Sequence, residues 1–424
     1  MNQLKNYLHT NNLFPTNQSA YRQSHCTETA LLRVMNDLLL EADNNNNSIL
    51  ALLDLSSAFD TIDHNILIKR LAFSYGINEK ALQWIQSFLI GRSQSVITHA
   101  GISQVSTLKW GVPQGSVLGP LLFILYTKPL NSLTKKYNIS NQSFADDTQL
   151  QKSSSMDRIS QSLSNMKCCI SQIKIWMSAN KLKLNDEKTE VLFIHSNSKD
   201  TILSKFIIGE VSIPFSSHAR NLGVVLTDNL SLEKHVSIVC RSAFIQLRNI
   251  SNIRQYLDIS STKTLMSSLV LSKLDYCNSL LFGTPKKVIH KLQKVQNSAA
   301  KIVFGAKKYD HVSPLLKKLH WLPITFRIEY KIASLCFKFF SDSNFPDYLS
   351  EVLTVYSPNR NLRSSSDCRL LLPKQSKKKT CGNRSFSYAA PYVWNSLPYS
   401  LRHSKSLNQF KKSLKTFLSR NAFP

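Results

Sequence analysis

Residues 48–60, Ser48-Ile-Leu-Ala-Leu-Leu-Asp54-Leu-Ser-Ser-Ala-Phe59-Asp60, decide how the chain is read. The run up to Leu53 is short, continuous and apolar, and the polar tract 44–47 bounds it upstream. That pattern suits a central sheet strand, covered on both faces, better than a helix. Asp54 closes the strand. Upstream, Ala30, Leu31, Val34, Leu38 and Ala42 recur at helical spacing and predict a helix over 24–41, ended by Asp43 and the asparagines. Downstream, Leu67, Leu71, Leu82, Ile85 and Phe88 predict two helices within 63–90, broken at Tyr75-Gly76-Ile77, with Asp60 and Asp63 expected to cap the first.

Further along, strands are expected at 95–99 and 105–109 with Gly101 marking a hairpin between them. Val112-Pro-Gln-Gly-Ser reads as a loop, and 118–130 as a buried helix whose Pro120 is tolerated in the first turn. A strand, turn, strand unit centres on Phe144-Ala-Asp146-Asp147. An amphipathic helix over 156–179 and a hairpin over 181–194 complete an α+β sheet domain of the split βαβ type. Beyond residue 230 the periodicity is helical, with Val236, Val239, Ala243, Leu247 and Ile250 on one face and Val288, Leu292, Val295, Ala299 and Val303 on another. After Tyr356, four prolines punctuate a Lys- and Ser-rich stretch expected to be irregular, with a last helix at 401–418.

With 424 residues and 42% hydrophobic content, the chain can fold into two or three domains. Its 53 Lys and Arg outnumber 26 Asp and Glu, which favours a polyanionic partner: nucleic acid or, less specifically, an acidic membrane surface. The excess is concentrated at the back, where residues 231–424 hold 32 basic against 9 acidic side chains, leaving 21 against 17 before them. The basic run Lys374, Lys377, Lys378 and Lys379 is a candidate phosphate contact, a solvated loop being its alternative. The 8 cysteines show no pair at the spacing of a zinc ribbon and are read as reduced packing thiols. No signal peptide and no membrane span of about 18 apolar residues is seen, so an intracellular protein of cytoplasm and nucleus is expected.

Three carboxylates stand out chemically. Nucleotide addition needs acidic groups converging on two divalent ions about 3.5 to 4 Å apart. Asp54 at a strand end and the adjacent pair Asp146 and Asp147 fit if the pair sits at a hairpin tip, because neighbours on a regular strand face opposite ways. Singly, each is an ordinary loop entry or turn. Jointly, and with Gly111-Val-Pro-Gln114-Gly115-Ser-Val-Leu-Gly-Pro120 between them, whose glycines permit close backbone approach and whose Gln114 both donates and accepts, they point to a polymerase. Nothing supplies the His-rich or nucleophilic constellation of an unrelated metal hydrolase. His320 and Trp321 read as a packed turn.

The segments 53–64, 111–123, 144–148 and 182–193 (LDLSSAFDTIDH, GVPQGSVLGPLLF, FADDT and LKLNDEKTEVLF) resemble four successive palm motifs of non-LTR retrotransposon reverse transcriptases, nearest to the jockey and chicken-repeat branch. NLGVVLTDNLSLEKHV at 221–236 is similar to the primer-grip segment, and QSAYRQSHCTETALL at 18–32 to the segment before the first palm motif. The carboxyl half adds LDYCNSLLFGTP at 274–285, LHWLPI at 319–324 and APYVWNSLP at 390–398.

This resemblance implies a palm, with partial fingers at 1–48 and palm at 49–230, followed by a helical thumb-like region at 231–345 and a basic, partly irregular region at 346–424. It implies Asp54, Asp146 and Asp147 as ligands of two Mg²⁺, with Mn²⁺ as a substitute. Phe59 would exclude ribonucleotides, and Gln114 and Gly115 would line the pocket of the incoming nucleotide. Lys188 would protonate pyrophosphate; a solvated hairpin charge is its alternative, as core packing is for Phe59. The implied partners are an RNA template, a DNA primer and deoxynucleoside triphosphates. In relatives, fingers residues that grip the triphosphate and a nuclease domain lie upstream, so weak polymerisation from this chain alone is expected. A catalytically silent remnant that binds nucleic acid through its basic half is the alternative.

Overall fold

The computed structural model describes residues 2–196, 205–208, 211–357, 367–373 and 381–424. The run Lys374, Lys377, Lys378 and Lys379 lies outside them. Contacts divide the chain into two compact units, one of Met1–Arg22, Ser48–Phe193 and Thr201–Ser216, the other of Gln23–Asn47, Ile194–Asp200 and Ser217–Pro424.

The first unit opens with α1 (Asn2–Thr10), while α2 (Thr27–Asp43) belongs to the second. The apolar run forms β1 (Asn47–Leu53), and β2 (Leu55–Ser56) follows Asp54 directly. Two helices, α3 (His64–Tyr75) and α4 (Glu79–Leu89), flank the expected break, where Gly76 caps α3 in the left-handed region at φ 65. Asp63 caps α3 as read, accepting from the Ile66 amide at 3.0 Å. Asp60 does not; its carboxylate instead accepts from Gln114 Nε2 at 3.1 Å.

An exposed ribbon follows, in which β3 (Ser93–Gln94) pairs with β6 (Ser106–Thr107), and β4 (Ile97–Thr98) with β5 (Gly101–Ile102). The buried helix is α5 (Gly119–Thr127), with proline in its first turn, and α6 (Leu130–Lys136) follows it. Next come β7 (Ser140–Phe144) and β8 (Asp147–Ser154), paired antiparallel from Ser140 with Gln151 to Phe144 with Asp147. Helix α7 (Ile159–Ala179) then buries Met166, Cys169, Ile170, Ile173 and Met177 against the core.

The expected hairpin over 181–194 is not formed. β9 (Lys183–Leu184) pairs with β2, and β10 (Glu190–Ile194) joins the main sheet, whose order is β10, β1, β8, β7. The physical reason is that β1 and β2 run on through Asp54 and offer two edges in succession, and each takes one of the downstream strands. The amide of Asn185 donates to the Asp54 carbonyl at 2.9 Å at this changeover. β11 (Lys205–Ile208) and β12 (Val211–Pro214) complete the unit as an antiparallel pair.

The second unit is mainly helical. It holds the hairpin of β13 (His218–Asn221) and β14 (Val224–Thr227), then α8 (Glu233–Ile253), α9 (Ile259–Met266), α10 (Ser272–Asp275), α11 (Lys286–Phe304), α12 (Ser313–Leu319), α13 (Ile324–Ser341) and α14 (Asp347–Ser350). His320 ends α12 in the left-handed region at φ 55, and Trp321 is buried behind it, the packed turn expected. Within the stretch expected to be irregular, residues 386–395 are helical: α15 (Phe386–Asn395) carries Pro391 in its interior. Burial of Phe386, Ala389, Ala390, Val393 and Trp394 offsets the backbone bond that proline removes. α16 (Tyr399–Arg402) and α17 (Leu407–Ala422) end the chain, with Phe410, Leu414 and Leu418 buried. Among the described residues no helix is long and apolar enough to cross a membrane.

Candidate active site

The three carboxylates reach one end of the main sheet by two different devices. Asp54 is the single residue between β1 and β2. Its Oδ2 is buried without a hydrogen bond, and the Lys188 ammonium lies 3.6 Å from it. Lys188 itself is mostly exposed, in the turn between β9 and β10, so this ion pair is weak and easily displaced.

Asp146 and Asp147 sit at a two-residue turn closed by the pairing of Phe144 with Asp147. Such a tight turn needs a left-handed residue, and here it is Ala145 at φ 56 rather than a glycine. A residue not singled out in the sequence holds this strained alanine. Gln18, buried in the segment before the first palm motif, donates from Nε2 to the Ala145 carbonyl at 3.1 Å and accepts at Oε1 from the Ala145 amide at 2.8 Å. The neighbouring backbone continues the grip: the Ser19 amide donates to the Ser143 carbonyl at 2.9 Å, and the Ser143 amide to the Asn17 carbonyl at 2.8 Å. Residues 17–19 therefore act as an extra edge beside β7, bridged in parallel at Gln18 and Ser143. Glutamine's paired donor and acceptor match the backbone C=O and N–H of one residue, which is the only hint of this role the sequence holds.

Charges at this edge repel. Partial loss of solvent, then the neighbouring Asp146 and Asp54, push the Asp147 carboxyl up to about 6 from 3.8. Asp146 is raised as well, by burial and by Asp54, against a backbone hydrogen bond that lowers it. Tyr21 is raised by burial and by the charge of Asp146. Between 3.8 and about 6 the folded chain binds more protons at Asp147 than the unfolded chain. Stability from this group is thus full at low pH and is lost as pH rises through that window. A bound cation reverses the preference, so divalent-ion affinity is expected to rise with pH through about 6. Titrating Mn²⁺ binding at pH values on both sides of that window checks it; an affinity flat with pH would contradict it.

Gly111-Val-Pro-Gln-Gly-Ser lies against the segment after Asp54. The Gly111 amide donates to the Ile62 carbonyl and the Val112 amide to the Phe59 carbonyl, both at 2.9 Å. The Gly111 carbonyl accepts from Arg92 Nη2 at 2.5 Å, and lies 2.8 Å from His64 Nε2. Gly111 has φ 81, and a Cβ there would stand 2.8 Å from the Asp60 carbonyl oxygen. Gly111→Ala is therefore expected to destabilise the fold by about 1–3 kcal/mol, read as a lower denaturant midpoint. Phe59 is half-buried and stacks on Phe123 at 4.5 Å between centroids, so it serves the core while keeping one edge outside. Gln114 and Gly115 are exposed, Gly115 at φ 76.

The cleft behind the hairpin, lined by Gln18, Leu55, Phe123, Lys128, Ala145 and Asp146, measures about 10 Å³. That is room for roughly one water, too little for a nucleotide. Among the described residues no three His, Cys, Asp or Glu side chains already stand in a metal-gripping arrangement. The donor set nevertheless fits hard divalent cations: all-oxygen, with an unbonded buried Asp54 oxygen and two carboxyls whose mutual repulsion a cation relieves.

A palm-type sheet carrying this edge defines the polymerases. The family profile "Reverse transcriptase (RNA-dependent DNA polymerase)" matches residues 1–226. The chain belongs to the reverse transcriptase family, in its non-LTR retrotransposon branch. It is 26% identical over 312 residues to the probable RNA-directed DNA polymerase from transposon X-element of Drosophila melanogaster, covering 72% of this chain and 34% of that protein. It is 25% identical over 308 residues to the RNA-directed DNA polymerase from mobile element jockey of the same organism, covering 70% and 32%. The chain thus spans about a third of the length of the curated relatives it matches. Among solved structures it is similar to telomerase from Candida albicans in complex with a fragment of telomeric RNA, at 14% identity and a TM-score of 0.36, covering 81% of this chain and 56% of that one.

Proposed function

We propose that the first unit is the nucleotidyl-transfer centre of an RNA-directed DNA polymerase that copies an RNA template onto a DNA primer from deoxynucleoside triphosphates. The observation that carries this is the electrostatic coupling of Asp54, Asp146 and Asp147 at one sheet edge. Enzymes of this family use divalent metal ions. Asp54 and Asp146, with Asp147, would hold two Mg²⁺, or Mn²⁺, which when bound would activate the primer hydroxyl and steady the triphosphate.

The chain's own groups do the rest. Gln18 holds the hairpin so that both aspartates stay at its tip. Gln114, its amide nitrogen held by Asp60, and Gly115 present an amide oxygen and bare backbone to the incoming nucleotide and template base. Phe59, braced on Phe123, crowds the sugar and excludes a 2′-hydroxyl. Lys188 is 3.6 Å from Asp54; displaced by the cations, its ammonium becomes free to donate a proton to departing pyrophosphate. In this reading residues 1–48 act as a partial fingers segment, 49–230 as palm, 231–345 as thumb and 346–424 as a basic trailing region that contacts phosphates, including Lys374, Lys377, Lys378 and Lys379. Primer extension on homopolymer RNA with Mg²⁺ tests the reading. Metal-dependent extension supports it; nucleic-acid binding with no extension at any metal concentration favours a silent binding remnant instead.

A further inference from the structure

Two motifs of the carboxyl half, LDYCNSLLFGTP and LHWLPI, are given no role in the transfer proposed above, and the second unit brings them to the walls of one cavity of about 420 Å³. Asp275 and Asn278 come from the first motif, His320, Trp321 and Leu322 from the second, and α13 and α17 close the sides. That volume falls in the usual range for small-ligand sites, about 300–1,000 Å³.

The lining chemistry is specific. Asn278 is 2% exposed and its Nδ2 donates to Asp275, while its Oδ1 is buried with no hydrogen-bond partner. A buried acceptor left open is unfavourable, so a ligand with a donor at this point is favoured. Positive charge exceeds negative around the cavity. Arg327 is paired with Asp275, and Lys331 with Glu28 at 3.2 Å. Lys415 has no acidic partner among the described residues, and burial with the like charges of Arg327 and Lys263 lowers its pKa. An anion beside it relieves that crowding. Tyr330, partly exposed in the same wall beside the buried Trp321, supplies aromatic surface of the kind on which bases stack.

We infer that this cavity binds a nucleotide, its phosphate taken by Lys415 and a hydroxyl or amino donor of its sugar or base taken by Asn278 Oδ1. The nucleotide is either free or part of a single strand, and the site shares no residue with the polymerase edge, so it does not depend on that edge being active.

Photocrosslinking of the full chain to an oligouridylate carrying 4-thiouridine tests it. Crosslinked peptides are expected to contain Trp321 or Tyr330, and the yield to fall about tenfold in Lys415→Glu, a loss worth about 1.4 kcal/mol. Lys415 is exposed, so this variant is expected to fold. Excess unlabelled UMP suppresses the crosslink if the cavity takes free nucleotide; suppression by unlabelled oligouridylate alone assigns it to a strand. Crosslinks confined to peptides outside the cavity, or a yield unchanged in Lys415→Glu, overturn the inference. Asp146→Asn is expected to leave the crosslink intact, which separates failure here from failure at the polymerase edge.

Discussion

Asp146→Asn is expected to lower metal-dependent primer extension by about 10²–10³-fold, with little change in stability. Asparagine keeps the shape at the hairpin tip and removes one charge from a site whose purpose is to gather positive charge. It also predicts an effect that mere damage to the fold would not give. Asp147 is held up at about 6 partly by Asp146, so in the variant its titration is expected to move down toward the ordinary carboxylate range. Single-turnover extension measures the first effect, and carboxyl-selective NMR titration the second. Extension within a few fold of the parent would remove Asp146 from the chemistry.

Gln18→Leu is expected to produce the second large loss, through position rather than charge. Leucine fills the same buried volume but leaves the amide and carbonyl of Ala145 without their partners, at about 1–3 kcal/mol for each group. The left-handed alanine then loses its side-chain clamp, and the two aspartates are held less firmly. A displacement near 1 Å in a reacting arrangement costs about 10²-fold in rate, so kcat is expected to fall by that order while KM for template and primer changes little. A parallel loss in both parameters, or none in kcat, would return Gln18 to a purely structural role.

What the sequence displayed and what it concealed follow from the range of each interaction. The strand 47–53, the break at Gly76 and the turn at Ala145-Asp146 are set within a few residues by apolar runs, a left-handed cap and a pair of adjacent carboxylates, and all were legible. The partner of that turn was not, because Gln18 stands 127 residues away and an isolated glutamine carries no pattern. Asp60 was expected to cap α3 on spacing alone, and the long-range loop 111–115 took its carboxylate instead. The strands within 181–194 were visible, but their pairing was misread: a local hairpin is the default when only sequence separation is known, and here β1 and β2 offered two edges in succession. Pro391 marked a break by local rules, and burial of Trp394 and its neighbours overrode them.

The account stands on the claim that Asp54, Asp146 and Asp147 share bound divalent cations. Replacing Mg²⁺ with Fe²⁺ and adding ascorbate and peroxide cleaves backbone next to the bound metal, and the fragments map the site without requiring polymerase activity. Cleavage is expected to cluster at residues 53–55 and 144–148 together, and to vanish in Asp54→Asn with Asp146→Asn. Cleavage at only one of these segments, or a pattern indifferent to both substitutions, would contradict a shared metal site.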